Sequence, residues 1–274
     1  MAKQGADWYL PNCFYDFDNK KELGYVDVSR YEGSVSSDKL QSISGATPTA
    51  NQSITSLRSL AVANNTDGKK GYHLWDVHTL DALQVLFTIE FATLDSQSIM
   101  EGNDAGSSAI SNGNTDNVKG SSGFAASGAA PMTYRGIENL YGNLAMFTDG
   151  LNISNLSLYS CDDATKYVSD TFTDPYYTLN YSLPASDSGN ANITSLRFDK
   201  DHPSVEAPNS YNSDNYNTYY HDGEYTTDSG NYVVCTGGGW NWDAGASGLW
   251  FWVGRYSSTD AYASLGSRLV KKAL

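Results

Sequence analysis

The feature that most constrains the fold is an apolar run near the C-terminus, Leu249-Trp250-Phe251-Trp252-Val253, which lies between glycines at 237–239 and Gly254. A run of this kind is typical of a β-strand, in which neighbouring side chains point to opposite faces. We therefore expect Leu249, Phe251 and Val253 to face the core. Trp250 and Trp252 would then face solvent as rigid aromatic groups suited to binding. The alternative is a strand buried on both faces, with both tryptophans in the core.

The residues around this strand complete a predicted binding site. The flanking glycines allow the adjoining loops to fold back beside the tryptophans. Aromatic side chains combined with Arg255 and Asp243 have the composition of binding hot spots. We predict a single exposed ligand-binding patch that consists of Asn241, Trp242, Asp243, Trp250, Trp252, Arg255 and Tyr256.

The clearest helix signal spans residues 76–95. Asp76 is a potential N-cap, and Ala82, Leu86 and Ile89 widen the apolar face almost all round, which predicts a buried helix. The apolar residues that recur at three- and four-residue spacing are Leu80, Leu83, Phe87, Phe91 and Leu94.

Two further stretches carry ordered structure. Glu90 lies within the helix and needs a cation if it is buried, and Arg135 is its candidate partner in a structural ion pair. The segment 134–143 reads as a turn in which Arg135 and Glu138 satisfy each other. Alternation through Leu151, Ile153, Leu156 and Leu158 predicts strands in residues 134–159.

Charge and composition exclude several classes of partner. The chain of 274 residues has 17 basic and 31 acidic side chains, giving a formal net charge of -14. Such a surface repels phosphate backbones and anionic lipids, so we expect neither nucleic-acid binding nor membrane insertion. Hydrophobic residues make up 40% of the chain, which is enough for a core. Much of the polar remainder is neutral, which favours β-rich and loop-rich structure.

Three segments taken in order resemble a known group of proteins. Arg135 to Asn143 contains an R-G-x-E-N-x-x-G-N pattern, Gly238-Gly239-Trp240 follows it, and the chain closes on Gly266-Ser267-Arg268. This order resembles the C-type-lectin-fold group that includes formylglycine-generating enzymes and the variable proteins of diversity-generating retroelements. The helix at 76–95 also looks like that of tail-associated proteins of gut prophages. The resemblance covers roughly residues 72–270.

The resemblance implies the binding branch of this group and not its enzymes. Leu144-Ala145-Met146-Phe147 stands where the enzymes carry Trp-Glu-Trp, and their paired active-site cysteines have no counterpart. In the variable proteins, diversified residues lie between the G-G-x-W and G-x-R segments. The matching window here is 240–265.

Metal and catalytic signals are weak. Cys13, Cys161 and Cys235 are too widely spaced for a zinc motif or a disulfide framework and are expected to be buried free thiols. His73 and His78 lack the one-turn spacing of a helical metal pair. A carboxylate pair for glycoside hydrolysis is left open. We expect no cofactor and no catalytic residues, while calcium remains an option at the loosely spaced acidic residues Asp214, Asp222, Glu224 and Asp228.

The predicted fold is α+β. It is a C-type-lectin-like domain with short twisted antiparallel strands, a buried helix at about 76–95 and long irregular loops. Residues 1–70 form a predicted attachment or lead-in region, and residues 71–274 form the predicted ligand-binding domain.

The predicted function is receptor binding without chemistry, on a phage tail. The expected partners are a host cell-surface protein or glycan, other tail subunits through the N-terminal region, and further copies of the chain. Because no apolar signal core follows Met1–Gly5, we expect synthesis in the host cytoplasm without a leader and a final location in the virion. The alternatives are a structural tail or baseplate protein and a carbohydrate-processing tail enzyme.

Overall fold

The computed structural model of the chain describes residues 8–118, 131–186, 191–213, 219–242 and 246–274. Strands make up 35% of the described residues, and helices, 3-10 helices included, make up 12%. The helices are α1 (Ile54–Val62) and α2 (Val77–Phe91), and short 3-10 helices span Asn12–Phe14 and Ala164–Lys166. The strands are β1 (Tyr15–Asp16), β2 (Lys21–Glu22), β3 (Val26–Val28), β4 (Gly33–Ser36), β5 (Lys39–Ser42), β6 (Tyr72–Leu74), β7 (Thr133–Tyr134), β8 (Ile137–Glu138), β9 (Ala145–Ser154), β10 (Ser157–Ser160), β11 (Tyr177–Ser182), β12 (Ala191–Asp199), β13 (His202–Asn212), β14 (Gly223–Thr226), β15 (Asn231–Thr236), β16 (Trp252–Tyr256), β17 (Leu265–Gly266) and β18 (Leu269–Lys272).

One large sheet organises the molecule. Its strand order is β11-β10-β9-β15-β16-β14-β12-β13, and β17 pairs with β9 as the ninth strand. The β14–β16 and β17–β9 pairs are parallel, and the other pairs in this sheet are antiparallel. A second sheet has the order β3-β18-β6, and β1-β2, β4-β5 and β7-β8 form hairpin-like pairs.

The large sheet curls until its two ends meet. The backbone N–H of Asn180 on β11 donates to the Asp199 carboxylate on β12 over 2.9 Å. The rings of Tyr177 and His202 stack with centroids 3.8 Å apart, which joins β11 to β13. These contacts give the sheet a nearly closed, barrel-like form.

The predicted fold class is therefore wrong. The chain is mostly β and not α+β, and its strands are long where short strands were expected, with β9, β12 and β13 spanning 10, 9 and 11 residues. The physical reason lies in the polar strands. β12 and β13 carry Ser, Thr and Asn beside apolar residues, so their ladder hydrogen bonds form without a regular apolar period in the sequence.

The helix predicted at 76–95 is confirmed as α2, although it ends at Phe91. The Asp76 side chain accepts a hydrogen bond from the Thr79 backbone N–H over 2.7 Å, which confirms the N-cap. Leu80, Leu83 and Phe87 are buried as expected. The expectation of burial all round is wrong for the second half of the helix, where Ile89 is 75% exposed and lies in solvent beside Val85 and Leu86.

Two core clusters lie on opposite faces of the central strands. One cluster contains Phe87 of α2 together with Trp252 of β16, and the other contains Ile54 and Leu57 of α1 together with Val253 of β16. The hairpin β9–β10 confirms the strands predicted in residues 134–159, although Leu156 lies in the turn between them.

The Arg135–Asn143 and Gly266–Arg268 segments meet in the interior. The Arg268 guanidinium is fully buried and donates to the carbonyl oxygens of Glu138 and Asn139 over 2.8 and 2.6 Å. The predicted Arg135–Glu138 pairing is wrong, because buried Glu138 accepts instead from the backbone N–H groups of Gly113 and Thr115. Arg135 pairs with Glu90 over 2.9 Å, as predicted, although at the surface.

The first seventy residues contribute to the same body. β3 pairs with β18, and α1 places Ile54 and Leu57 in the core. The attachment role assigned to residues 1–70 stays a prediction.

Candidate functional site

The apolar run Leu249–Val253 is buried on both faces. Trp250 and Trp252 are each 3% exposed, and Phe251 is 2% exposed. The prediction that both tryptophans face solvent is therefore wrong, and both lie in the core, as in the alternative. Only the end of the run forms a strand, because β16 begins at Trp252 while Leu249 and Trp250 lie in a turn. Phe251 and Val253 share one core cluster as predicted, but Leu249 belongs to the other, together with Trp250 and Trp252.

The position of the strand explains this burial. β16 is an interior strand, paired with β15 on one side and β14 on the other. Helix α2 covers the tryptophan face, where Phe87 meets Trp250 edge-on with centroids 6.1 Å apart. Tyr220 packs on the same indole at 5.9 Å. No face of this segment is left for a ligand.

The other predicted site residues occupy different environments. Asn241 is exposed, Trp242 and Arg255 are half-buried, and Tyr256 is 8% exposed. Asp243 lies outside the described residues. Trp242 packs edge-on against Phe251 at 5.0 Å, so it links the surface to the core.

Glycines position this region as the sequence predicts. A Cβ atom on Gly238 would lie 2.8 Å from the Ser247 Cα atom, and its φ of +67° favours glycine. The backbone N–H of Trp240 then donates to the Asn143 carbonyl oxygen over 2.9 Å. The close approach fixes the loop that carries Trp240, Asn241 and Trp242.

An open cleft with a volume of about 620 Å³ lies beside this loop. It includes three predicted residues, Asn241, Arg255 and Tyr256, and excludes the buried tryptophans of the apolar run. The described residues that line it are Tyr225, Thr227, Trp240, Asn241, Arg255, Tyr256, Asp260, Tyr262, Ala263 and Ser264. We refer to this surface as the Arg255 cleft.

A row of aromatic rings holds Arg255. Its guanidinium carbon lies 4.1 Å from the centre of the Tyr225 ring, 5.3 Å from that of Tyr256 and 5.8 Å from that of Trp242. The Tyr256 ring in turn contacts Tyr262 at 5.5 Å. Cation–π contacts of this kind restrain the guanidinium without neutralising it.

Arg255 keeps its positive charge at neutral pH. Burial lowers the pKa of Arg255, but its interactions with Tyr256 and Tyr225 outweigh burial and raise that pKa above its usual value. Burial raises the pKa of Tyr256. The Asp260 carboxylate accepts the backbone N–H of Ser257 over 2.7 Å, which fixes the turn that precedes Tyr262.

Several lining residues were not singled out from the sequence. Asp260, Tyr262, Ala263 and Ser264 lie within the window 240–265, so a weak signal existed for them. Tyr225 lies on β14, and Thr227 directly follows that strand. β14 pairs with β16 in parallel. Nothing in the sequence indicates that pairing.

The lining carries few charged groups. Among the described residues that line the cleft, Asp260 and Arg255 carry charge, and the others are aromatic, amide, hydroxyl or small side chains. The indole N–H of Trp240 has no acceptor among the described residues. Such a surface can stack on a ligand and hydrogen-bond to it.

The residues considered for metal binding are dispersed. Asp222 is fully buried and accepts the Trp250 backbone N–H over 2.7 Å, while Asp228 is exposed and Asp214 lies outside the described residues. No group of three or more His, Cys, Asp or Glu ligands occurs in the part of the chain that the structure describes. The three cysteines are buried and free, as predicted.

Neither described helix has the length and apolar character needed to cross a bilayer. No family model matches the sequence, and no curated protein is similar to it. Among solved structures, the chain is similar to one titled "Major Tropism Determinant P3c Variant", at 12% identity and a TM-score of 0.36. The matched region covers 93% of this chain and 46% of that one, so this chain spans less than half of that protein's length.

Proposed function

We propose that the chain is a receptor-binding protein that attaches to a host-cell surface ligand through the Arg255 cleft, without chemical turnover. The observation that carries the proposal is the cleft itself, an open concave surface with an aromatic row, a restrained cation and neutral hydrogen-bonding groups. Aromatic residues and arginine dominate the energetics of protein interfaces. The aromatic rings also lose little conformational entropy when a ligand binds.

A location on a phage tail is part of the proposal. It rests on the resemblance of the Arg135–Asn143, Gly238–Trp240 and Gly266–Arg268 segments to those of variable and tail-associated proteins. In this proposal the exposed cleft residues Asn241 and Tyr262 vary between related chains, while the buried residues Trp252 and Val253 of β16 do not. The flanking DNA would test this, because a near-copy of these codons beside a reverse-transcriptase gene is expected.

A second candidate function, contact with other tail subunits or copies of the chain, is favoured by an exposed apolar surface. Val85 and Ile89 of α2 and Phe198 of β12 line a groove of about 330 Å³, and they are 37%, 75% and 56% exposed. Apolar groups grouped in this way on a soluble protein commonly mark a protein interface. This surface is separate from the Arg255 cleft, so both contacts can exist in one molecule.

The proposed function predicts that exposed cleft residues control attachment. Tyr262 is 49% exposed and lines the cleft. When the purified chain is labelled with a fluorescent dye and incubated with bacterial cells that retain the labelled parent protein, the Tyr262→Ala variant should not be retained. Its melting temperature should change little, because exposed side chains contribute little to stability. The matched control is Tyr25→Ala, which removes a tyrosine that is 56% exposed and does not line the cleft. Equal retention of Tyr262→Ala and the parent would contradict the proposal.

A further inference from the structure

Arg255 and Arg197 differ from the other surface arginines in their partners. Arg30, Arg58 and Arg135 each pair with a carboxylate at 3.5 Å or less, whereas Arg197 and Arg255 lie over tyrosine rings. Of these two, Arg255 lines the cleft and Arg197 does not. None of the ion pairs within the described residues includes Arg255, although the chain has 31 acidic and 17 basic residues. The positive charge of Arg255 is thus held at the cleft by aromatic rings, and no carboxylate in the part of the chain that the structure describes forms an ion pair with it.

A cation held in this way is suited to a carboxylate. The guanidinium is planar and offers paired N–H donors that match the two oxygens of a carboxylate. Its contacts with Tyr225, Tyr256 and Trp242 reduce the side-chain entropy that a ligand would have to remove. The cleft therefore provides a preorganised subsite for one negative charge.

The remaining lining favours a saccharide over a peptide. Thr227, Asn241, Asp260 and Ser264 supply the amide, hydroxyl and carboxylate groups that pair with sugar hydroxyls, and Tyr262 and Trp240 supply ring faces for stacking. An extended peptide binds best along a free strand edge. β16 has no free edge, because β15 and β14 occupy both of its sides.

The net charge of the chain limits the size of the anionic group. At -14 the molecule repels a long polyanion, whereas a single carboxylate meets mainly the local charge of Arg255. At physiological ionic strength, salt screens the ligand carboxylate from surface charges that lie more than about 8 Å away from it. One acidic sugar on an otherwise neutral glycan satisfies both conditions.

We propose that the Arg255 cleft binds an acidic saccharide, in which one sugar carboxylate pairs with Arg255 and a sugar ring stacks on Tyr262 or Trp240. This inference rests on the proposed function, since it names the ligand class for the same cleft. It requires neither a metal ion nor a covalent step.

Calorimetry on the full chain tests the inference. The probes are neutral oligosaccharides that end in one uronic or sialic acid, the same compounds as methyl esters, and pentaglutamate. At least one acidic oligosaccharide should bind, and its ester should bind about tenfold to a hundredfold more weakly, as expected when a charged hydrogen bond is lost. Equal binding of acid and ester, tighter binding of pentaglutamate, or no binding of any acidic oligosaccharide would overturn the inference.

Matched variants assign the effect to the cleft. Arg255→Gln should lower the affinity as much as esterification does, while Arg197→Gln should not, because Arg197 also stacks on a tyrosine, at 5.1 Å, but does not line the cleft. Asn241→Asp places a new negative charge at an exposed cleft position and should weaken binding about tenfold without affecting folding. Its control is Asn209→Asp, at an exposed position on β13. Unchanged affinity in Asn241→Asp would overturn the inference.

The two proposals fail in different ways. If Tyr262→Ala and Arg255→Gln lose cell attachment but acid and ester bind equally, the ligand class is wrong and receptor binding stands. If both variants attach to cells as the parent does, the proposed function itself is wrong.

Discussion

At the scale of single residues, Trp250 and Trp252 contribute to stability because both are almost completely removed from water. Trp250 contacts Phe87 from α2 and Tyr220 from the segment before β14, so it joins elements that are distant in sequence. A large aromatic side chain in such a position buries more apolar area than any other residue type. Its replacement leaves a cavity that the surrounding rings cannot fill.

We predict that Trp250→Ala lowers the free energy of unfolding by about 3–5 kcal/mol, the range typical of aromatic-to-alanine changes in a core. Urea unfolding followed by circular dichroism measures the change. Tyr262→Ala is the comparison, because it removes an exposed ring and should change the free energy of unfolding by less than about 0.5 kcal/mol. If the Trp250→Ala protein unfolds like the parent and no longer attaches to cells, Trp250 contacts the ligand and this prediction is wrong.

The divergence of Trp252 and Val253 could be predicted, but neither the turn at Leu249 and Trp250 nor the exposure of the two faces could. Strand geometry fixes that neighbouring side chains diverge, and Trp252 and Val253 do lie in different clusters. Whether a face meets solvent depends on α2 and α1, which are distant from the run in the sequence. For the same reason Arg255 and Asn241 could be predicted in the site, whereas Tyr225, brought in by the parallel β14–β16 pair, could not.

At the scale of elements, the start of α2 is fixed by a buried ion pair. The Asp76 carboxylate lies 2.6 Å from the Nε2 atom of His73, and the other ring nitrogen of His73 lies 2.9 Å from the Gly71 carbonyl oxygen. Burial raises the pKa of Asp76, but hydrogen bonding and charge interaction with His73 outweigh burial and hold that pKa well below its usual value. Asp76 is therefore ionised in the folded protein under conditions where it is protonated in the unfolded chain.

This pair predicts an acid-dependent stability. The folded state binds fewer protons at Asp76 than the unfolded chain does. The contribution of Asp76 to the free energy of unfolding is therefore present above the ordinary carboxyl pKa of about 3.9 and is lost as pH falls below it. At pH 7, Asp76→Asn should cost about 1.5–3 kcal/mol of unfolding free energy, as expected for hydrogen bonds to a charged group. The difference in unfolding free energy between the parent and Asp76→Asn should be smaller at pH 3. Asparagine keeps the N-cap, so the comparison isolates the charge. An equal difference at both values of pH would contradict this prediction.

The helix also shows how far apolar periodicity can be interpreted. Its position, N-cap and buried face were predictable because Asp76 and the three- and four-residue spacing are local signals. Its exposed face could not be predicted. The polar strand pair β12–β13 lies beside the C-terminal half of the helix, where a second apolar layer would be needed to bury that face. Apolar residues on that face remain in solvent within the single chain.

At the scale of the whole molecule, the barrel-like sheet and the charge act together. The sheet buries apolar residues on both of its faces, and the formal net charge of -14 makes two copies of the chain repel each other. The groove lined by Val85, Ile89 and Phe198 is different. Glu206 is its one carboxylate among the described lining residues, and burial raises the pKa of Glu206. At this groove two copies can approach with little charge repulsion.

We therefore expect the chain to associate through this groove, as the proposed homo-oligomer requires. Val85→Glu adds a negative charge to the apolar contact and should convert the associated form to the monomer, because a buried unpaired carboxylate is strongly disfavoured. Sedimentation velocity over a range of protein concentrations measures the change. Val62→Glu is the matched control, since Val62 is a helical valine on α1 that is 47% exposed and lies outside the groove. A parent protein that sediments as a monomer at every concentration, or two variants that sediment alike, would show that this surface contacts a different tail subunit or none.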